Sequence, residues 1–129
     1  MLDRMVVLKA LKRTWALDQI PGWPHDSTAD DQSSVISQLI HDVFGGEILK
    51  THKNKGWHFY NRINGERVDF AIFKRGRSSK NIRFEDLPST PDETYKYIVP
   101  EDYSTFFMRF VRAFEETVGL DKYRPGYSS

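Results

Sequence analysis

An Asn-Gly pair at residues 64 and 65 separates two runs of alternating apolar and polar residues, 57–63 and 66–73. Asn-Gly is the preferred loop of a two-residue type I′ turn because both of its positions need positive φ. The pair therefore predicts a β-hairpin. Its two-residue loop sets a register in which Tyr60 lies opposite Asp69.

The alternation sorts the hairpin side chains onto two faces, because successive residues of a strand point to opposite sides. One face is apolar and is expected to belong to the core; it carries Trp57, Phe59, Asn61, Ile63, Val68 and Phe70. The other carries His58, Tyr60, Arg62, Arg67, Asp69 and Ala71. We expect the helix that precedes the hairpin to pack on this second face.

Helical periodicity is strongest just before the hairpin, where apolar residues recur at helical spacing from Val35 to Phe44 and Gly45-Gly46 marks the end. Ser33 lies at the start of this helix on its inward side, with Asp30 and Asp31 as capping candidates. The spacing also predicts a first helix behind residue 3, a short strand at 47–51, a turn at 51–56, a short helix from residue 91 and a last helix over 106–118 that residue 119 ends.

These elements indicate an α+β fold. A small antiparallel sheet with a central hairpin packs against an N-terminal helix pair and a C-terminal helix. The chain length of 129 residues favours a single domain over residues 1–122, and residues 123–129 read as a flexible tail.

Composition narrows the classes of function. The chain has no cysteine, which excludes disulfides and thiolate metal sites, and its four histidines show no metal-ligand spacing, so we expect neither a metal nor a cofactor. A net charge of +1 implies no nucleic-acid or membrane partner. No apolar stretch approaches the roughly 20 residues of a membrane span, and the N-terminus lacks a signal peptide pattern, which favours a cytoplasmic protein of undetermined oligomeric state.

Three residues are of the types that acyl transfer requires, in the chain order nucleophile, base and orienter. Ser33 is a candidate nucleophile, His58 a candidate base, and Asp69, a diagonal neighbour of His58 in the hairpin, a candidate orienter. Gln32 and Asn61 are candidate oxyanion or support residues, and Tyr60 and Arg62 candidate substrate-binding residues. The plainer interpretation of Ser33 is a helix N-cap.

Longer motifs carry a resemblance to a known family. They are Gln32-Ser33-Ser34-Val35, the segment 42–49 that contains Phe44-Gly45-Gly46-Glu47, and His58 to Arg62 continuing through Asn64-Gly65 to Val68-Asp69. Over roughly residues 8–73, about half of the chain, they resemble the bacterial YunG-like proteins. In that family's pattern a Trp-Gly-Gln-Cys segment opens the second helix; here Asp30 and Asp31 replace Trp-Gly and Ser33 replaces the Cys, whereas His58, Asn61 and Asp69 match.

The resemblance implies a papain-like, transglutaminase-like or NlpC-like arrangement and a cysteine hydrolase that acts on amides or thioesters of a peptide or protein. A serine gains little from the helix dipole that activates a cysteine thiolate. The chain is therefore either such a hydrolase or its inactive Cys-to-Ser form, whether the serine is natural or a replacement. Two alternatives stay open: a catalytically dead peptide- or protein-binding module, and a phosphate or nucleic-acid site on the basic loop 74–80.

Overall fold

The computed structural model describes residues 3–16, 33–53, 56–70 and 83–122. They form four helices and four strands: α1 (Arg4–Ala16), α2 (Ser33–Phe44), β1 (Glu47–Lys53), β2 (Gly56–Ile63), β3 (Glu66–Val68), β4 (Leu87–Ser89), α3 (Pro91–Tyr95) and α4 (Pro100–Lys122). The predicted α+β class with a small antiparallel sheet is confirmed. The chain divides into two compact units, one that contains α1 and α4 and one that contains α2, α3 and the sheet. The single domain over 1–122 stays a prediction, and the tail at 123–129 lies outside the described residues.

The sheet has the strand order β3-β2-β1-β4, and each neighbouring pair is antiparallel. Its central hairpin has the predicted register, with Ile63 opposite Glu66. Asn64 has a φ of 53° and Gly65 one of 81°, both in the left-handed region that a type I′ turn requires. Local turn chemistry therefore determines which residues of the two strands meet.

The second hairpin strand is shorter than predicted. β3 ends at Val68, and Phe70 lies in a tight helical turn; the rest of the predicted strand lies outside the described residues. The register that pairs Asn61 with Val68 would place Phe59 opposite Phe70. The Phe59 amide instead donates to the Ser33 hydroxyl, so the start of α2 occupies the position where the ladder would continue.

α2 packs on the opposite face of β2 from the one predicted. The Asn61 side chain donates to the Ser37 carbonyl of α2 at 3.0 Å, so α2 covers the face of Phe59 and Asn61. Alternation then places His58 on the other face. The prediction that α2 covers the His58 face is wrong because the more apolar face of the hairpin is the one that the buried side of the helix contacts.

The glycine pair ends α2 as predicted. The Gly45 amide donates to the His41 carbonyl at 2.9 Å, and both glycines have positive φ, 80° at Gly45 and 84° at Gly46. A Cβ atom at Gly46 would lie 2.5 Å from the Arg62 carbonyl oxygen. The second glycine is therefore required by a close approach to β2 as well as by its backbone conformation.

The flanking elements differ in extent from the predictions. β1 continues to Lys53 and β2 begins at Gly56, so residues 51–53 and 56 of the predicted turn at 51–56 are strand. β4, which was not predicted, contains Pro88 and lies at the edge of the sheet, where a missing amide donor is tolerated. α3 begins at Pro91 as predicted, and the Thr90 side chain caps it.

α1 and α4 form the other unit. The Asp3 carboxylate caps α1 by accepting from the Met5 and Val6 amides. Arg13 of α1 contacts Glu116 of α4 at 2.8 Å. α4 begins at Pro100, a favourable first position for proline, and the prediction that Gly119 ends it is wrong because the helix continues to Lys122. Among the helices described, none combines the length and the apolar character needed to cross a bilayer.

Candidate active site

A buried histidine–carboxylate pair lies beside the end of β3. His58 Nε2 and Asp69 Oδ2 are 2.7 Å apart, and the side chains are 1% and 6% exposed. Because the carboxylate accepts the proton on Nε2, a neutral imidazole in this arrangement presents its lone pair at Nδ1. The structure therefore brings the predicted base and orienter together, with the Asp69 carboxylate at Nε2 of His58.

Ser33 is the first residue of α2, and its side chain meets the backbone of β2. Its Oγ accepts a hydrogen bond from the Phe59 amide at 3.1 Å, and the residue is 2% exposed. That amide is the peptide nitrogen joined to His58, so position 33 lies one peptide unit from the candidate base. The bond uses an oxygen lone pair of Ser33 and leaves the hydroxyl proton to be donated.

Ser33 and the His58 imidazole belong to different sides of β2. The His58 and Tyr60 rings share one face, with centroids 6.0 Å apart, whereas α2 covers the other face through Asn61. Position 33 therefore lies at the edge of β2 where β3 has ended. This is the edge toward which the Phe59 amide points.

Asn61 also belongs to this region, and it faces away from His58 as the register predicts. Its Nδ2 donates to the Ser37 carbonyl at 3.0 Å and, more weakly, to the Glu47 carbonyl at 3.4 Å. Both amide hydrogens of Asn61 therefore point to backbone oxygens of α2 and β1. If Asn61 has the predicted support role, it supports the position of α2, the helix that begins at Ser33.

Tyr60 is enclosed by a network that the sequence did not reveal. Its hydroxyl donates to Asp86 Oδ1 at 2.8 Å and accepts from the Asp86 amide at 2.7 Å. Burial and the Asp86 hydrogen bond raise the Tyr60 pKa, and the hydrogen bonds from Arg67 lower the pKa of Asp86.

Arg62 is half-buried and lies 3.5 Å from Glu47. Substrate binding by Tyr60 and Arg62 stays a prediction.

Asp86 is the residue of this network that sequence reasoning missed. It has a φ of 57°, a conformation that Asp adopts more readily than most residues, and Arg67 holds its carboxylate through two hydrogen bonds of 2.8 and 2.6 Å. Its position in a mixed polar stretch carried no local signal, because its partners Tyr60 and Arg67 are 26 and 19 residues away in the chain.

Some predicted residues lie outside the described part of the chain: Gln32, the capping candidates Asp30 and Asp31, Ala71, and the basic loop 74–80. Within the described ranges, no three histidine, aspartate or glutamate side chains gather as a metal site would require. His41 contacts the Gly46 carbonyl, and His52 contacts Glu85.

Comparison with known proteins places this architecture in a family. The family model described as YunG protein matches residues 3–115. A relative from Bacillus subtilis (strain 168), described as "Uncharacterized protein YunG", is 31% identical over 102 residues, which cover 79% of this chain and 86% of the relative. No solved structure matches significantly. The match extends beyond the 8–73 segment that carried the resemblance, and the chain belongs to the YunG family.

Proposed function

We propose that the unit built from α2 and the sheet is a cysteine-hydrolase-type acyl-transfer site that acts on amides or thioesters of a peptide or protein. Ser33 occupies the nucleophile position, His58 is the base and Asp69 the orienter. The observation that supports this most is the buried His58–Asp69 pair, one peptide unit from the first residue of α2. The papain-like or NlpC-like arrangement and a cytoplasmic location belong to the same proposal.

The reaction uses each of these groups in turn. His58 Nδ1 takes the Ser33 hydroxyl proton while Oγ attacks the carbonyl carbon of the substrate, and the tetrahedral intermediate collapses to an acyl ester. The leaving amine or thiol takes the proton from His58. Water then attacks the ester with His58 again as base, which releases the acid and restores the hydroxyl. Asp69 stays on Nε2 throughout, which leaves Nδ1 to exchange the proton with position 33.

With serine at this position the proposed reaction is slow. A thiolate is stabilised in its ground state by a helix N-terminus and by amide donors, whereas a hydroxyl stays protonated until the moment of attack. The geometry at Ser33 therefore suits a cysteine better than the residue that is present. We expect the Ser33→Cys variant to be far more reactive than the chain as it stands.

The test is acylation by a small activated thioester, with the mass of the intact protein as readout. We expect the Ser33→Cys variant to gain one acyl group at residue 33, and the same variant carrying His58→Gln to gain it much more slowly. Ser34→Cys is the matched control, because Ser34 is 3% exposed in the same helical turn. Equal acylation of the two cysteine variants, or no effect of His58→Gln, would refute the proposal.

A non-catalytic peptide- or protein-binding module is the second candidate. It is favoured by one observation: the Ser33 hydroxyl is buried and already accepts the Phe59 amide, as a purely structural serine would. If the protein is such a binding module, Ser33→Cys should be acylated no faster than Ser34→Cys. Phosphate or nucleic-acid binding by the loop 74–80 stays a prediction, since the loop lies outside the described residues.

A further inference from the structure

We infer that Asn61 is a positioning residue that sets the register of α2 on β2 and thereby holds position 33 beside His58; its catalytic consequence rests on the proposed function. Asn61 is 1% exposed, and its side chain links two elements, the Ser37 carbonyl of α2 and the Glu47 carbonyl of β1. A buried amide that bridges two elements is expensive to remove, because its hydrogen bonds to both of them are lost together.

Two hydrogen bonds attach α2 to β2 at matched intervals. Ser33 Oγ meets the Phe59 amide, and one helical turn later the Ser37 carbonyl meets the Asn61 side chain. Four residues of α-helix rise about 6 Å, and two residues of strand rise about 6.6 Å. The two bonds therefore fit one relative placement of the elements, and a shift of either element along its axis would break both.

The second half of α2 has a different attachment. Gln38 accepts a hydrogen bond from Thr94 of α3 at 2.6 Å and donates to Asp42 at 2.9 Å. The bond from Thr94 secures the helix to α3, and the bond to Asp42 lies within α2, so neither fixes the first turn of α2 against β2. Asn61 is the side chain of β2 that holds α2 against the strand, one helical turn from Ser33. The chain thus offers a control: Thr94→Val removes a buried hydrogen bond of α2 without touching the Ser33–Asn61 side.

The structural arm of the test needs no catalysis. Hydrogen exchange of the Phe59 amide is measured by NMR in the unaltered chain, in Asn61→Leu and in Thr94→Val, each relative to the protected amides of β1. We expect Asn61→Leu to raise the relative exchange rate of Phe59 about tenfold, the scale of one lost hydrogen bond. Thr94→Val should leave the ratio within about twofold. An unchanged ratio in Asn61→Leu would overturn the inference.

The functional arm repeats the acylation assay on the Ser33→Cys background. We expect Asn61→Leu to slow acylation by at least about tenfold and to raise the thiol pKa, whereas Thr94→Val leaves both close to their starting values. Asn61→Ser, which shortens the donor but retains a polar group, replaces Asn61→Leu if the latter does not fold. If Phe59 exchange responds but no cysteine variant is acylated, the proposed function fails and the positioning of residue 33 stands. Acylation that is equally fast with and without Asn61 would refute the positioning role.

Discussion

Replacing Ser33 by cysteine should produce a thiol that ionises unusually easily, and the structure allows the size of the effect to be worked out against a neighbour. A thiolate at position 33 would receive the Phe59 amide hydrogen that Ser33 Oγ now accepts at 3.1 Å. A hydrogen bond to a charged group contributes about 1.5–3 kcal/mol. Burial in apolar surroundings acts in the opposite direction, because it disfavours the charged form.

The Ser34→Cys variant removes the opposing contributions from the comparison. Residues 33 and 34 are 2% and 3% exposed and share the first turn of α2, so desolvation and the helix dipole act similarly on both thiols. The differences that remain are the Phe59 amide, which sets the magnitude given next, and the His58 imidazole. Since about 1.4 kcal/mol changes an equilibrium tenfold, the fraction of thiolate near neutral pH should be about 10- to 150-fold larger in Ser33→Cys than in Ser34→Cys.

The ultraviolet absorbance of the thiolate, followed over a pH titration, measures this fraction without requiring access by a reagent. Denatured samples of both variants supply the reference for a free thiol. Adding His58→Gln to Ser33→Cys separates the contribution of the imidazole from that of the amide. Coincident titration curves for the two cysteine variants would refute the reasoning, because they would mean that the Phe59 amide does not reach the atom at position 33.

Three further outcomes follow from the contacts around the sheet. Tyr60→Phe should lower the free energy of unfolding by about 1–3 kcal/mol in urea denaturation, because it leaves the Asp86 amide without its acceptor. The control is Tyr97→Phe, at a residue that is 57% exposed, which should change the free energy of unfolding by less than about 0.5 kcal/mol. Gly46→Ala should destabilise the protein by at least about 1 kcal/mol more than Gly45→Ala, because both residues have positive φ but only a Cβ at residue 46 would clash with a backbone oxygen. Equal urea midpoints for the two variants would contradict this. The pKa of Asp86 is lowered by its partner Arg67, so the carboxylate's contribution to stability is present above the unfolded pKa of about 3.9 and is lost as the pH falls through the folded pKa. Asp86→Asn should therefore flatten the acid limb of a plot of urea midpoint against pH. An unchanged acid limb would contradict this prediction.

The parts of the fold that the sequence predicts are those determined by local chemistry. Asn64-Gly65 specifies a turn with two positive φ values, and that turn alone sets the pairing of β2 with β3. Helix α2 is predicted from its periodicity, and its end from Gly45 and Gly46. The His58–Asp69 pair follows from the same register, since the two residues are diagonal neighbours on one face.

What the sequence does not predict depends on contacts between distant segments. Which face of the hairpin α2 covers is decided by packing between distant segments, because the alternation identifies the apolar face but not the element that covers it. β3 stops at Val68, and the Phe59 amide donates instead to Ser33, which is distant in the chain. Asp86 contacts Tyr60 and Arg67, which lie 26 and 19 residues before it in the chain, so no local motif could indicate it.

The base role of His58 depends on which of its nitrogens carries the proton. Imidazole ¹⁵N chemical shifts, recorded on protein labelled at histidine and assigned with a His58→Gln variant, report this directly. Contact of Asp69 with Nε2 predicts that the neutral ring of His58 is protonated at Nε2 and presents a bare Nδ1, and that Asp69→Asn disturbs this preference. A neutral ring protonated at Nδ1 would contradict the account, because no lone pair would then be available at the nitrogen that is to receive the proton from position 33.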